Sequence, residues 1–261
     1  MPEVKTLKEH LEFVQEISLL SFSFAWKLQT KLPEENLSDI LRLHTMLYYH
    51  ILNLPTEKTR TELSACKAEN AEDFEKVMWD RTKDFILDKA SKFYPDSIGM
   101  PGYIKPESHW NCGSLKYDPP HLGLSGNPCV FHIANTTAPR SIFEVKGHLL
   151  ECFEKLICSS EKEYGYTTLY TSTWLNDRED FLHFFPQEWR DNLSPREKRI
   201  PGWTVADWGQ LLTGRGLLNK KTAAFARENG VLKYCNRSSC CSFANMKKHL
   251  EFLRQQEDQE L

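Results

Sequence analysis

Apolar side chains recur at three- and four-residue steps through the first third of the chain. Between residues 3 and 20 they are Val4, Leu7, Leu11, Val14 and Ile17, one stripe along a helix. Leu37, Ile40, Leu41, His44, Leu47, Tyr48 and Ile51 repeat the pattern over 37–53. Pro55 is expected to stop that helix, because its ring has no N–H and clashes with the preceding turn. A third helix is expected over 71–93, with Phe74, Val77, Met78, Arg81 and Phe85 on its stripe and Asp73, Glu75, Asp80 and Lys83 on the solvated side. His10, His44 and His50 lie in or beside these stripes and read as packed or solvated histidines, not ligands. The first third thus predicts a helical layer. Residues 95–108, PDSIGMPGYIKPES, hold three Pro and two Gly, which is turn chemistry and marks a boundary.

Beyond that boundary the period changes. LKYD (115–118) is short and strand-like, and NPCVFHIANTT (127–137) is β-rich between turn signals. Ser141 and Glu144 have the spacing of a capping box, and Ile142, Val145, Leu149, Phe153 and Leu156 continue as a stripe, so a helix is expected to start there. TTLYTSTWL (167–175) is a second strong strand. Asn176 or Asp177 is expected to cap a helix over DREDFLHFF that Pro186 ends, and QEWRDNLSPREKRIPGW (187–203) reads as a polar loop or flap. Thr204 and Asp207 again have capping-box spacing. Lys220–Glu228 reads as a helix closed by Asn229-Gly230, and Ser242 as the cap of a last helix striped by Phe243, Met246, Leu250 and Leu253. The order strand, strand, helix, strand, helix over 115–185 predicts an α+β fold with a mixed sheet. The expected division is a helical N-terminal region, 1–95, and an α/β region with C-terminal helices, 96–261.

Composition narrows the function classes. The 261 residues are 40% hydrophobic and 26% charged, ordinary for a globular protein. A net charge of −3 gives no global field favouring nucleic acid or an acidic membrane, so neither partner is expected. No apolar run reaches the roughly eighteen residues of a membrane span. The start, MPEVKTLKEHLEF, is interrupted by charges too often for a signal peptide, so a cytoplasmic location is expected. The eight cysteines (Cys66, Cys112, Cys129, Cys152, Cys158, Cys235, Cys240 and Cys241) are then expected as reduced thiols, and the absence of a CxxC pair argues against a zinc site. Cys235, Cys240 and Cys241 cluster, and read as structural or surface thiols.

The junction at 129–144 is the most informative stretch. A strand ends, a turn follows and a capped helix is expected, so unpaired N–H groups and a partial positive charge would face whatever precedes Ser141. Arg140 stands immediately before that cap, where it could bond an anion; the alternative is that Ser141 and Glu144 satisfy the donors themselves and Arg140 faces water. His132 and Ala134 should lie on one face of their strand, Phe131 and Ile133 on the other.

The same stretch resembles the GNAT superfamily of N-acyltransferases over about residues 110–190. Gly113-Ser114-Leu115-Lys116-Tyr117, His132-Ile133-Ala134 and Thr173-Trp174-Leu175-Asn176-Asp177 are similar to motifs of a bacterial family with a helical N-terminal part and a GNAT-like C-terminal part. The resemblance implies a GNAT-like mixed sheet with a helical N-terminal layer and a helical C-terminal extension. It implies acyl transfer from a thioester, acyl-CoA or an acyl carrier protein, to a small amine or hydroxyl acceptor, with no metal. The diphosphate of CoA would then rest at Thr136, Thr137, Arg140 and Ser141. His132 would be the base, Tyr170 or Ser172 would protonate or position the thiolate, and Trp174 and Trp110 would wall the acyl pocket. The usual glycine-rich phosphate loop is replaced by Asn135-Thr136-Thr137-Ala138-Pro139-Arg140, which has no glycine.

Two other enzyme readings stay open, together with a non-catalytic binding protein on the same fold. In HWNCGSLKYD (109–118), Cys112 is an alternative nucleophile for an acyltransferase or amidohydrolase if the fold brings His121 or His132 to it. A metal site from His109, Cys112, His121 and His132 is the weaker reading. Gly214-Arg215-Gly216 beside Lys220 and Lys221 could seat an anion or form a solvated turn.

Overall fold

The computed structural model describes residues 5–51, 68–97, 111–120, 126–197 and 200–259. The chain divides into two compact units. One is built from residues 3–103 and 198–233, the other from 104–197 and 234–261. The segment 198–233, expected with the sheet, thus returns to the helical unit. The expected boundary at 95–108 and Pro55 lie largely or wholly outside the described residues. Among the described residues no helix is long and apolar enough to cross a membrane.

The helical unit is organised by helix α1 (Leu7–Gln29), which packs on α2 (Leu37–His44), α3 (Ala71–Ser97) and α8 (Lys220–Asn229). Thr6 and Glu9 close a reciprocal capping box at the start of α1. The helix expected over 37–53 breaks at Thr45, whose backbone is extended (φ −131°, ψ 159°). The Thr45 hydroxyl donates to Leu41 O (2.5 Å) and accepts from Leu47 N–H (3.3 Å), replacing the missing helical bonds; a π turn, Leu47–Ile51, follows. Leu47, Tyr48 and Ile51 remain in the core.

Helix α3 corrects the expected stripe. Its buried positions are Phe74, Met78, Thr82, Ile86 and Ala90, a strict four-residue step, and Arg81 is exposed. Thr82 can be buried because its hydroxyl donates to Met78 O (2.6 Å), whereas a guanidinium there would lack partners. A short helix, α7 (Val205–Trp208), buries Trp208 against Phe24, and Asp207 accepts Gly202 N–H (3.0 Å). Helix α8 ends at Gly230 (φ 60°), as expected, and begins at the cap Asn219.

The second unit holds a four-stranded mixed open sheet in the order β1-β2-β3-β4: β1 (Leu115–Tyr117), β2 (Cys129–Ile133), β3 (Thr168–Thr173) and β4 (Arg237–Ser242). The outer pairs are antiparallel and the central pair β2–β3 is parallel. A parallel pair needs a crossover, supplied here by α4 (His148–Tyr164). Leu150, Phe153, Leu156 and Ile157 of α4 meet Leu115, Cys129, Phe131, Leu169 and Cys241 of the sheet in one core. The last helix, α9 (Phe243–Gln259), adds Phe243, Met246, Leu250 and Leu253, the stripe expected for it.

Three local expectations change in this unit. The Ser141–Glu144 box closes a single turn, with Ser141 N–H on Glu144 Oε2 (3.0 Å), and α4 starts only at His148. Gly147, in the left-handed region (φ 71°), separates the two. Arg178, not Asn176 or Asp177, is the N-cap residue of the short helix α5 (Glu179–Leu182); buried Asp177 instead accepts Cys235 N–H (3.0 Å) and Arg196 (3.1 Å). The stretch after Pro186 begins with helix α6 (Gln187–Asp191), not a flap there. Its Trp189 is fully buried, stacks on Phe185 (4.1 Å) and donates to Asn176 Oδ1 (3.0 Å).

The revised α3 stripe is tested by two alanine variants followed through urea unfolding. Met78→Ala is expected to cost about 2–5 kcal/mol through lost burial and a cavity. Arg81→Ala should stay within about 0.5 kcal/mol.

Candidate functional site

The sheet has two unlike faces. Cys129, Phe131, Leu169, Thr171, Ser239 and Cys241 point into the core, while Val130, His132, Tyr170 and Ser172 alternate onto the more exposed face. His132, Tyr170 and Ser172 therefore share a face, with Lys116 directly opposite His132 on β1. Tyr170 lies between Val130 of β2 and Cys240 of β4. The Ser172 hydroxyl donates to Asn236 Oδ1 (2.7 Å).

His132 Nε2 is 2.7 Å from Asp118 Oδ2, and the imidazole side chain is 46% exposed against 25% for the carboxylate. Asp118 is itself held: its N–H donates to Val130 O (3.0 Å) and its carbonyl accepts the Tyr166 hydroxyl (3.0 Å). Burial pushes the Tyr166 phenol up to about 12, with nearby Cys129, Tyr164, Asp118 and Glu163 adding to the effect, so it stays a neutral donor.

The seam beside His132 is incompletely paired. Ala134 N–H donates to Ser114 O (2.9 Å), which with the Asp118 bond directs the backbone of 130, 132 and 134 toward β1 and that of 131 and 133 toward β3. Phe243 N–H on Thr167 O (2.7 Å) likewise sets 168, 170 and 172 toward β2. Yet β2 and β3 pair only at Cys129–Leu169 and Val130–Tyr170. Past that point the Thr171 hydroxyl takes up Phe131 O (2.8 Å) in place of a ladder bond. The Ile133 and Ser172 backbone groups thus face the seam beyond the end of the ladder.

The turn segment after β2 is closed on itself. Thr136 N–H donates to Ser114 Oγ (3.3 Å), Thr137 N–H and hydroxyl to Asn135 Oδ1 (3.1 and 2.9 Å), and Arg140 N–H to Thr137 O (3.1 Å). Ser141 N–H is on Glu144, and Asn135 Nδ2 reaches Arg140 O (2.9 Å). Pro139 has no N–H. Thr136, Thr137, Arg140 and Ser141 are therefore brought together as a sequence-local turn in which the Thr137, Arg140 and Ser141 N–H groups are taken up within the turn and the Thr136 N–H by Ser114. As placed, they do not cradle a diphosphate. The ring of Trp174 carries the Arg178 guanidinium, which also lies over Phe143 and Tyr234 at 5.4–5.8 Å and pairs with Asp180. Trp110, His109 and His121 lie outside the described residues.

Cys112 is buried beside Asn111 Oδ1 (3.4 Å), and burial, with a further push from Cys152, raises its thiol to about 11. It therefore has little thiolate character at neutral pH. Among the described residues, the cysteine beside a histidine is Cys152, whose sulfur is 3.6 Å from His148 Nε2. The same nitrogen is 2.7 Å from Ser114 Oγ, and Ser114 Oγ is 2.6 Å from Thr136 Oγ1. Sequence reasoning missed this cluster. The signal was present in HLLEC, whose His and Cys stand four apart on one helix face. Asp118 was likewise read only as the end of a strand. Among the described residues no group of three or more His, Cys, Asp or Glu could hold a metal.

No protein-family model, curated protein or solved structure matches this chain.

The thiol environments give a direct test. With iodoacetamide at pH 8, peptide mapping of the native protein should show exposed Cys158 alkylated while Cys112, Cys129 and Cys241 stay unmodified until denaturant is added. Prompt native alkylation of Cys112 would restore it as a reactive thiol.

Proposed function

We propose that this protein is an acyltransferase on a GNAT-like sheet, moving an acyl group from a thioester to a small amine or hydroxyl acceptor. The observation that carries the reading is the His132–Asp118 pair, 2.7 Å apart, on the open sheet face beside the seam where the β2–β3 ladder ends. Acyl transfer needs a base for the acceptor and a donor for the carbonyl oxygen as charge develops. His132 is the base, since an imidazole is a side chain suited to proton transfer and the bonded carboxylate orients it. Backbone N–H groups facing the unpaired seam are suited to polarise the thioester carbonyl. Tyr170 and Ser172, on the same face, are placed to position the departing thiolate.

The self-closed turn at 135–144 favours a donor recognised along its pantetheine arm over one gripped at a diphosphate. Acyl-CoA and an acyl carrier protein both present that arm.

Native mass spectrometry with acetyl-CoA and with S-acetylpantetheine tests the donor, and a panel of amines then tests turnover by product mass. A stoichiometric non-covalent adduct is expected with at least one thioester. His132→Gln is expected to slow transfer roughly 10²–10⁴-fold, the range for loss of a general base. Asp118→Asn should retain part of that loss. Binding of neither thioester rejects the reading, and full turnover by His132→Gln rejects the assigned base.

A further inference from the structure

Ser114 is fully buried where the chain enters β1, between the Cys112–Leu115 bridge and the Ala134 N–H bond to its carbonyl. His148 is the first residue of α4, anchored by its own N–H on Val145 O (3.1 Å). The two side chains, thirty-four positions apart in sequence, meet at 2.7 Å. From this geometry we propose that Ser114 and His148 form a nucleophile–base pair that takes an acyl group onto the Ser114 hydroxyl from an activated ester or thioester. This activity goes beyond the transfer reading above and requires neither His132 nor bound CoA.

The hydrogen bonds around the hydroxyl are consistent with that role. With the ring proton on Nδ1, Ser114 donates to His148 Nε2 and accepts from the Thr136 hydroxyl (2.6 Å) and the Thr136 N–H (3.3 Å). The hydroxyl's one proton and both lone pairs are then used, and the proton points at the base. Burial lowers the His148 pKa, which keeps the imidazole neutral and able to accept a proton at pH 7; Glu151 opposes that shift and Lys155 adds to it. Cys152, close to the same nitrogen, is held as a thiol by burial and accepts Ser114 N–H (3.3 Å), so it fixes the serine backbone and does not compete as the nucleophile. Gly113 is required beside it: its φ is +69°, and a Cβ there would lie 2.6 Å from the Cys152 sulfur. The outer side of Ser114 is covered by Thr136, in the turn segment between β2 and α4, and an acyl donor enters by displacing that residue.

The step balances without a metal or redox partner. A bond forms from Ser114 Oγ to the acyl carbon, and the bond from that carbon to the leaving oxygen or sulfur breaks. The hydroxyl proton passes to His148 Nε2 and on to the leaving group. Water or an amine later attacks the ester carbon, the bond from that carbon to Ser114 Oγ breaks, and the attacking group's proton passes through His148 Nε2 to the departing serine oxygen.

The full-length protein is treated with a fluorophosphonate reporter and, separately, with p-nitrophenyl acetate, and adducts are located by intact mass and peptide mapping. The expected result is one adduct per chain on Ser114 with each reagent. Labelling should fall at least 100-fold in Ser114→Ala and in His148→Gln, with far-UV circular dichroism confirming that each variant is folded. The wild-type map decides the matter even if a variant unfolds: no adduct, or adducts confined to surface groups such as Cys158, overturns the proposal.

Discussion

The parallel pairing of β2 with β3 constrains the rest of the second unit. Two parallel neighbours cannot be joined by a tight turn, so the chain must cross over the sheet, and α4 is that crossing. Its apolar side, Leu150, Phe153, Leu156 and Ile157, covers one face of the sheet. That burial holds the helix in place, and the helix in turn sets where its first turn sits. His148 and Cys152 reach Ser114 for this reason alone; nothing in the local sequence draws them there. The opposite face lacks such a cover from α4, and it bears Lys116, His132, Tyr170 and Ser172.

His132 and His148 differ because of this asymmetry. His132 stands on the open face with a carboxylate 2.7 Å away, an arrangement that orients the ring. His148 is drawn into the core side, where desolvation disfavours charge and leaves a neutral ring between a hydroxyl and a thiol. The same burial raises the thiols of Cys112, Cys129 and Cys152. Polar groups taken from water must find partners, and Ser114, Thr136, His148 and Cys152 find one another. The turn at 135–144 follows the same rule: with no helix beginning at Ser141, the Thr137 and Ser141 N–H groups bond the Asn135 and Glu144 side chains and the Thr136 N–H bonds Ser114.

Local periodicity was a reliable guide where one face of an element meets one core. The α9 stripe, the α8 stop, and the strands at 115, 129 and 168 were all legible, because they are set by the repeat or the turn chemistry of the element itself. Arg81 was misplaced because two apolar neighbours, Val77 and Phe85, suggested a stripe one position away from the true one, and Thr82 did not look like a core residue until its hydroxyl bond to Met78 was known. Strand β4 was invisible: RSSCCS carries almost no apolar alternation, and its pairing with β3 supplies what its side chains do not.

The sequence by itself therefore determined the α+β class and the types of the strongly periodic elements, which depend on residues within a few positions of one another. It also placed His132, Tyr170 and Ser172 on strands, whose alternation puts them on one face once the register is known. Only the tertiary structure decided that Asp118 is the partner of His132, that the β2–β3 ladder stops short, and that the thiol beside a histidine is Cys152 and not Cys112. The physical reason is range. Period and propensity are local, whereas burial, charge partnership and hydrogen-bond satisfaction are settled by contacts such as Ser114–His148, between residues thirty-four positions apart.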